Sequence, residues 1–288
     1  MKQNVLQTIR AEMDHLSKGH RRIAQYILDN YDKAAFMTAA RLAETADVSE
    51  STVVRFASHL GYEGYPEMQR ALQEIVRGKL TSIQRIQVSR QQINDSDILG
   101  SVMQRDADSI RSAINGIDRE DFDRVVDKLQ EAEHIYILGV RSSSFLAGYL
   151  NFYFHLIFKN VIYVQNTAAG EIYEQLVHIA PGDVLVGISF PRYSKMVIHA
   201  VEMASERGAD VIAITDSKVS PLYPLSSAAL LVGCDAISFI DSMAAPLSLL
   251  NALIVAVGRQ RSDDVSHTFA EMEKVWTKYN IFGKAEDD

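Results

Sequence analysis

Residues 38–61 read TAARLAETADVSESTVVRFASHLG, which spells two short helices joined by a tight turn. Leu42, Val48, Val53 and Phe56 recur at the spacing that packs two helices together, and Ala43 is small where their backbones approach. Ser49 stands at the N-cap of the second helix, where its hydroxyl can accept from the free amides of Ser51 or Thr52. Gly61 lies just past the last helical residue, the position where a helix ends in the left-handed region. Asp47 occupies the turn, and aspartate tolerates left-handed geometry better than most residues.

The second helix carries the chemistry. Ser51, Thr52, Arg55 and His59 are read as lying away from the Val53 and Phe56 packing side. Short hydroxyls with one long cation suit phosphates and base edges in a DNA groove. Ser49, Ser51, Thr52, Arg55 and His59 are therefore the candidate DNA contacts. Generic helical hairpins share the apolar spacing. Agreement between N-cap, apolar positions, small residue and polar outer face favours the DNA reading.

The rest of the 288 residues is long enough for two domains, each with its own core. One cysteine, Cys234, excludes a disulfide framework and a zinc knuckle, fits a reducing cytoplasm, and reads as a small buried residue. The opening MKQNVLQTIRAEMDHL lacks the apolar core of a signal peptide. The run 243–257 is broken by Pro246 and Asn251, too short for a bilayer, and reads as a buried helix, so no membrane partner is expected. The net charge of −8 is uneven: residues 1–80 hold 11 Lys and Arg against 10 Asp and Glu, and the remainder holds 18 against 27. The acidic load thus lies outside the reading domain. A net +1 there is a weak electrostatic footprint, which two copies on one DNA would strengthen.

Around the opening stretch, 4–31 has helical periodicity with Ser17 as a cap between two helices. Lys18, Arg21 and Arg22 suit either the DNA backbone or a solvated face. Pro66 suits the first position of a further helix running to about residue 78. Residues 80–97 are polar and glutamine-rich and read as a connector. Helices follow over 96–114 and from Asp118, an N-cap by residue type, to 132.

Beyond Glu133 the texture changes. Short apolar runs at 134–138, 161–164, 184–189, 211–215 and 229–233 alternate with helical segments, which predicts a five-stranded parallel sheet covered on both faces. Such sheets bind ligands at the carboxyl ends of their strands, where strand order reverses. Two loops stand out there. After the first strand come Gly139, Val140, Arg141, Ser142, Ser143 and Ser144; after the third come Ser189, Phe190, Pro191, Arg192, Tyr193, Ser194 and Lys195. Hydroxyls, helix N-terminal amides and cations in both loops predict a phosphate-sized anion site. Neither loop is a GxGxxG or Walker A motif, so no nucleotide cofactor is expected.

The combination RLAETADVSESTVVRFASHLGYEGYPEM, ILGVRSSS, PGDVLVGISFPRYSK and ERGADVIAITDSKVSPL resembles the RpiR family of bacterial transcriptional regulators, across nearly the whole chain. The resemblance implies α/β architecture with an all-α N-terminal domain: a helix-turn-helix bundle followed by a doubly wound SIS (sugar isomerase) sandwich. It implies boundaries of 1–78 for the DNA-binding domain, 79–117 for linker and connecting helix, 118–260 for the SIS domain and 261–288 for a C-terminal helix and tail. It implies operator DNA, a phosphorylated sugar or sugar-acid effector and a homodimer or homotetramer as partners, and a repressor of a sugar-metabolism operon as the role. By position, Ser143, Ser189 and Ser194 match the family's phosphate-binding hydroxyls. The full candidate ligand set is Ser142, Ser143, Ser144, Glu171, Ser189, Arg192, Ser194 and Lys195. Where the common pattern reads Ser-Phe-Ser-Gly, this chain has Ser189, Phe190, Pro191, Arg192, losing one hydroxyl and gaining a guanidinium that pairs with phosphate or carboxylate.

Other residues stay open between two roles. Glu171 suits a sugar hydroxyl, a base, or a helix N-terminus. Glu174 and His178 share a helix face but lack a third metal ligand. Asp241 and Ser242 either close the pocket or cap the next helix. Trp276 and Tyr279 read as packing residues. An isomerase with an accessory helical domain is the alternative function. It needs an acid and base near the sugar carbons, for which only Glu171 and His178 stand.

Overall fold

The computed structural model describes residues 5–77, 96–165, 170–234, 236–237 and 239–282. The chain divides into two compact units, Met1–Asn94 and Asp95–Asp288.

The first unit is all helical: α1 (Val5–Glu12), a 3-10 turn (Met13–His15), α2 (Lys18–Asp29), α3 (Tyr31–Ala34), α4 (Ala39–Thr45), α5 (Glu50–His59) and α6 (Tyr65–Arg77). Local signals set the starts. The Ser17 hydroxyl accepts from the His20 amide at 3.3 Å, and Thr38 does the same for Arg41 at 3.2 Å. Ile9, Ile23, Ile27, Leu42, Phe56 and Met68 are fully buried and form one core. Pro66 is the second residue of α6 rather than its first, because Tyr65 joins the helix and drops into the core. The Tyr65 hydroxyl donates to the Met37 carbonyl at 2.7 Å, and burial pushes it up to about 12.

The helix-turn-helix pair, α4 and α5, ends each helix in the same way. After α4, Asp47 adopts φ 52°, and Val48 and Asp47 return their amides to the carbonyls of Ala43 and Glu44. After α5, Gly61 adopts φ 85°, and Tyr62 and Gly61 return theirs to Ala57 and Ser58. Both are double-bonded left-handed caps that satisfy otherwise orphaned carbonyls.

The second unit opens with α7 (Ile98–Gly116) and α8 (Arg119–Glu131), whose caps Asp97 and Asp118 accept from the amides of Gly100 and of Glu120 and Asp121. The expected connector, 80–97, lies almost wholly outside the described residues. Five parallel strands follow: β1 (Ile135–Gly139), β2 (Val161–Val164), β3 (Val184–Ile188), β4 (Asp210–Thr215) and β5 (Ala228–Leu231), in the order β2-β1-β3-β4-β5. Between them run α9 (Ser143–Ile157), α10 (Glu171–Gln175) and α11 (Lys195–Glu206). The chain closes with a two-residue hairpin, β6 (Ala236–Ile237) and β7 (Ile240–Asp241), then α12 (Ala244–Gln260) and α13 (Ser262–Tyr279).

Alternate strand residues serve two layers. Ile135, Ile137, Val184, Val186 and Ile212 pack with α8, α9 and α12 on one face, while Tyr136, Leu138, Leu185 and Val211 pack with α10 and α11 on the other. Covering on both faces is why these runs are continuously apolar. Pro246 falls in the first turn of α12, where its missing N–H costs nothing, and the run 243–257 is a helix buried along one face, with Asn251, Ala252 and Val255 exposed on the other. Cys234 is buried, with its thiol directed to the Ser242 carbonyl at 3.3 Å. The C-terminal helix departs from expectation: no residue of α13 is buried, and Tyr279 is 63% exposed. Trp276 is half-buried and packs on the neighbouring rings of Phe269 and Phe282. No described helix is long and apolar enough to cross a membrane.

Candidate functional site

The reading helix α5 presents its outer face around Ser51, Val54, Arg55 and Ser58, all exposed and all within one arc at 100° per residue. Ser51 and Arg55 fall where the sequence placed them. Thr52 and His59 sit instead on the shoulder that faces α2. A Cβ at Gly19 would lie 3.3 Å from the Thr52 methyl, and the His59 ring lies 5.6 Å from that of His20. His59 Nε2 also approaches Glu12 Oε2 at 3.9 Å. Partial burial, then the charges of His59 and Arg55, hold the His20 imidazole below its ordinary value. Val54, 42% exposed, and Ser58 are the outward residues that apolar patterning missed. The spacing of Val54, three residues from Ser51 and four from Ser58, was the available signal, and a methyl can read thymine.

Ser49 occupies the N-cap in extended geometry, but its hydroxyl bonds the side chains of Ser51 at 2.9 Å and Thr52 at 2.8 Å instead of an amide. Three hydroxyls within four residues at the helix start satisfy one another first. Arg55 Nε donates to the Ser51 carbonyl at 3.3 Å. Of the basic cluster on α2, Arg22 donates to the Asp47 carbonyl at 2.9 Å and to its carboxylate at 2.8 Å, clamping the turn. Arg21 reaches the carbonyls of Asp14 and Leu16, and Lys18 is exposed.

In the α/β unit, both serine loops leave neighbouring strands at one level, because Gly139 pairs with Ile188 in the parallel register. This is also the point where strand order reverses, with β2 on one side of β1 and β3 on the other. A Cβ at residue 139 would collide with the Ser143 carbonyl, so glycine permits the tight turn into α9. Ser143 is buried as the first residue of α9, Ser142 is exposed at its N-cap, and Ser144 Oγ donates to the Arg141 carbonyl at 2.6 Å. Arg141 holds φ 56°.

Across the reversal, Ser189 is buried and its hydroxyl accepts from the Ser194 amide at 3.4 Å. Ser194 caps α11 by position and makes no side-chain cap bond, while Lys195 and Arg192 are exposed, the latter at φ 68°. The Tyr193 hydroxyl donates to Asp216 Oδ1 at 2.8 Å. Glu171 opens α10 directly after Gly170, whose φ is 89°. Residues 166–169, including Thr167, lie outside the described residues.

A cavity of about 360 Å³ opens beside the first loop, lined by Gly139, Val140, Arg141 and Ser144 and by Tyr163, Val164 and Gln165 from β2. Tyr163 donates to the Ser144 carbonyl at 3.2 Å. Gln175 reaches back from α10: its side-chain oxygen accepts from the Gln165 amide at 3.0 Å, and its nitrogen donates to the carbonyls of Gln165 at 2.8 Å and Glu171 at 3.1 Å. Tyr163, Gln165, Gln175 and Asp216 had no signal in the chain, since pairing and helix return bring them together. Ser242 does not join this site. Its hydroxyl donates to Asp106 at 2.5 Å and accepts from the Ala244 amide, so it caps α12 and ties it to α7. Glu174 and His178 do not share a helix face as expected, because α10 ends at Gln175 and His178 lies in the turn beyond it; among the described residues no group of three His, Cys, Asp or Glu could hold a metal ion.

A helix-turn-helix unit and a doubly wound parallel sheet with a serine-bearing loop on each side of its reversal point define a two-unit regulator, and comparison with known proteins agrees. Residues 3–77 match the helix-turn-helix domain of the rpiR family, and residues 128–256 match the SIS domain. The HTH-type transcriptional regulator HexR of Pseudomonas aeruginosa is 28% identical over 228 residues, covering 79% of this chain and 78% of that protein. The bifunctional protein glk of Paraburkholderia xenovorans is 28% identical over 233 residues, 78% of this chain but 35% of that one. In structure, the NanR protein of Vibrio vulnificus complexed with ManNAc-6P aligns at TM-score 0.59 and 27% identity, covering 96% of this chain and 99% of that chain. The chain belongs to the RpiR family of helix-turn-helix transcriptional regulators and carries a SIS domain.

Proposed function

We propose that this regulator binds operator DNA through α5 and is governed by a phosphorylated sugar or sugar acid held between the β1 and β3 loops. The observation that carries the effector reading is the pair of buried hydroxyls, Ser143 and Ser189, in the segments that leave adjacent strands at one level where strand order reverses. That NanR is complexed with ManNAc-6P supports the same ligand class. Ser142, Ser144 and Ser194 supply further hydroxyls, Arg192 and Lys195 supply charge, and Glu171 faces a sugar hydroxyl. In the reading domain Ser49, Ser51, Thr52, Arg55 and His59 are assigned to the DNA, with Val54 and Ser58 added by the structure.

The protein acts in the cytoplasm as a repressor and as a homo-oligomer, with 1–78 reading DNA, 79–117 connecting and 118–260 sensing. Exposed Phe145 and Phe152 on α9, and an α13 with no buried residue, support a second copy covering this unit. An effector changes DNA binding only through unequal affinity for two arrangements, and about 1–3 kcal/mol of coupling is enough. The test is the double variant Ser143→Ala, Ser189→Ala, assayed by operator gel shift with a panel of hexose 6-phosphates and phosphorylated sugar acids. Loss of the metabolite response with DNA binding intact is the expected result; an unchanged response places the pocket elsewhere. Turnover of an aldose or ketose phosphate by the purified chain would replace this reading with an isomerase.

A further inference from the structure

We propose that Tyr193 and Asp216 form a latch holding the β3 loop in its anion-receiving shape, which makes both of them positioning residues for the effector. The inference rests on the effector-site reading above. The loop from Ser189 to Lys195 must bring one buried hydroxyl and the open amides at the start of α11 to a common point. It does so through Arg192 at φ 68°, a region that residues with side chains rarely adopt. Such a conformation persists only where the flanking structure over-determines it.

Two anchors do that here. On the N-terminal side Phe190 is buried in the core layer of α9 and α12. On the C-terminal side Tyr193 donates to Asp216 Oδ1 at 2.8 Å. Asp216 directly follows β4 and is itself held. Ser217 Oγ donates to its Oδ2 at 3.1 Å, and the hydroxyl of fully buried Thr215 reaches Oδ1 at 3.3 Å. Thr215 also bonds the buried Ser220 at 2.8 Å, so the receiving side of the latch is part of the strand end. Partial burial first, and then the Asp216 carboxylate, push the Tyr193 phenol far above its ordinary range, and its proton stays in place at every working pH. Without the phenol, Arg192 relaxes toward ordinary backbone geometry, and the Ser194 amide parts from the Ser189 hydroxyl that accepts from it.

The probe is inorganic phosphate, titrated against the full chain and followed by phosphorus NMR and by thermal shift. Tyr193→Phe and Asp216→Ala are expected to weaken phosphate about tenfold, the scale of one hydrogen bond to a charged group, while Asp216→Asn, which keeps an acceptor, stays within about twofold. Arg192→Gly removes the strain the latch opposes. Adding Tyr193→Phe to Arg192→Gly is therefore expected to cost no more than about twofold beyond Arg192→Gly alone. A phenol with a merely structural role would cost the same in both backgrounds, and that result overturns the latch. Tyr193→Phe with wild-type phosphate affinity overturns it as well, provided Ser143→Ala, Ser189→Ala loses phosphate. If that serine variant keeps phosphate, or the wild type binds none, the anion site itself falls. Should Asp216→Ala not fold, as read by circular dichroism, Asp216→Asn and the Arg192 pair decide the question.

Discussion

The two units solve the problem of building a site in opposite ways. The helical unit places its surface on one ten-residue helix, so position along α5 and the angle of α2 determine it completely. The α/β unit draws its pocket from the ends of β1 and β2, with Gln175 of α10 reaching across to the backbone of Gln165. Contiguous sites inherit their precision from helix geometry, whereas assembled sites need anchors behind each loop, such as Gln175 behind Gln165 and Asp216 behind Tyr193.

This contrast breaks first under core substitution. Phe56→Ala and Phe154→Ala each empty a fully buried position and are expected to cost about 3–5 kcal/mol. Phe56→Ala should remove DNA binding while the second unit keeps its thermal transition, and Phe154→Ala should do the reverse. One shared transition lost in both variants would show that the units do not unfold separately.

The next effect is at the DNA surface. Arg55→Ala is expected to weaken operator binding by about 1–3 kcal/mol, with an unchanged circular dichroism spectrum. Intact binding would remove Arg55 from the interface, and Val54→Ala would then show whether the outward row reads DNA at all.

Glycine substitutions sharpen the comparison further, because two glycines are needed for two reasons. Gly61 meets nothing within 4 Å of an added Cβ, so Gly61→Ala carries only the penalty of φ 85°, about 1–2 kcal/mol. Gly139→Ala instead drives a Cβ into the Ser143 carbonyl, and effector response should fall while DNA binding holds. Denaturant titration of the first and metabolite titration of the second test the pair.

The smallest effects are in pH. His20 is held below its ordinary value in the folded state, so the unfolded chain takes up more protons as pH falls below about 6.5, and the helical unit loses stability in that window. His20→Gln should flatten that slope. In the α/β unit, burial would raise the Asp210 carboxyl, but hydrogen bonds from Lys128 and Ser227 and the Lys128 charge outweigh it and hold the group low. Its contribution is present above the ordinary carboxylate value and is lost only below about pH 4. Lys128→Met should remove it, as an acid titration of the folded chain would read.

Much of this architecture was legible because its signals are local or continuous. Ser17 and Asp118 mark helix starts by their own hydrogen bonds, and the structure adds Thr38 and Asp97, while Ser49 keeps the position without the bond. Five apolar runs declared a buried parallel sheet to within a residue or two, since burial on both faces leaves no alternation to misread. What failed depended on neighbours. Thr52 and His59 lie on the shoulder of α5 because α2 crosses there, and the sequence of α5 alone does not say where a second helix will pass. The hairpin β6–β7 has two residues per strand, too few for any period to show. Tyr163 read as one more apolar residue of a strand, yet its hydroxyl braces the first anion loop, a role created only by the return of α9 over β2.

The side chain of Gln175 has a meaning beyond the pocket it braces. β2 is an edge strand, and such a strand offers unpaired amides and carbonyls on which a foreign chain can add itself. By taking both backbone groups of Gln165, the Gln175 amide stands in for the missing neighbour just where β2 ends. One side chain thereby occupies the backbone groups just past the end of this edge, and does so without an additional strand.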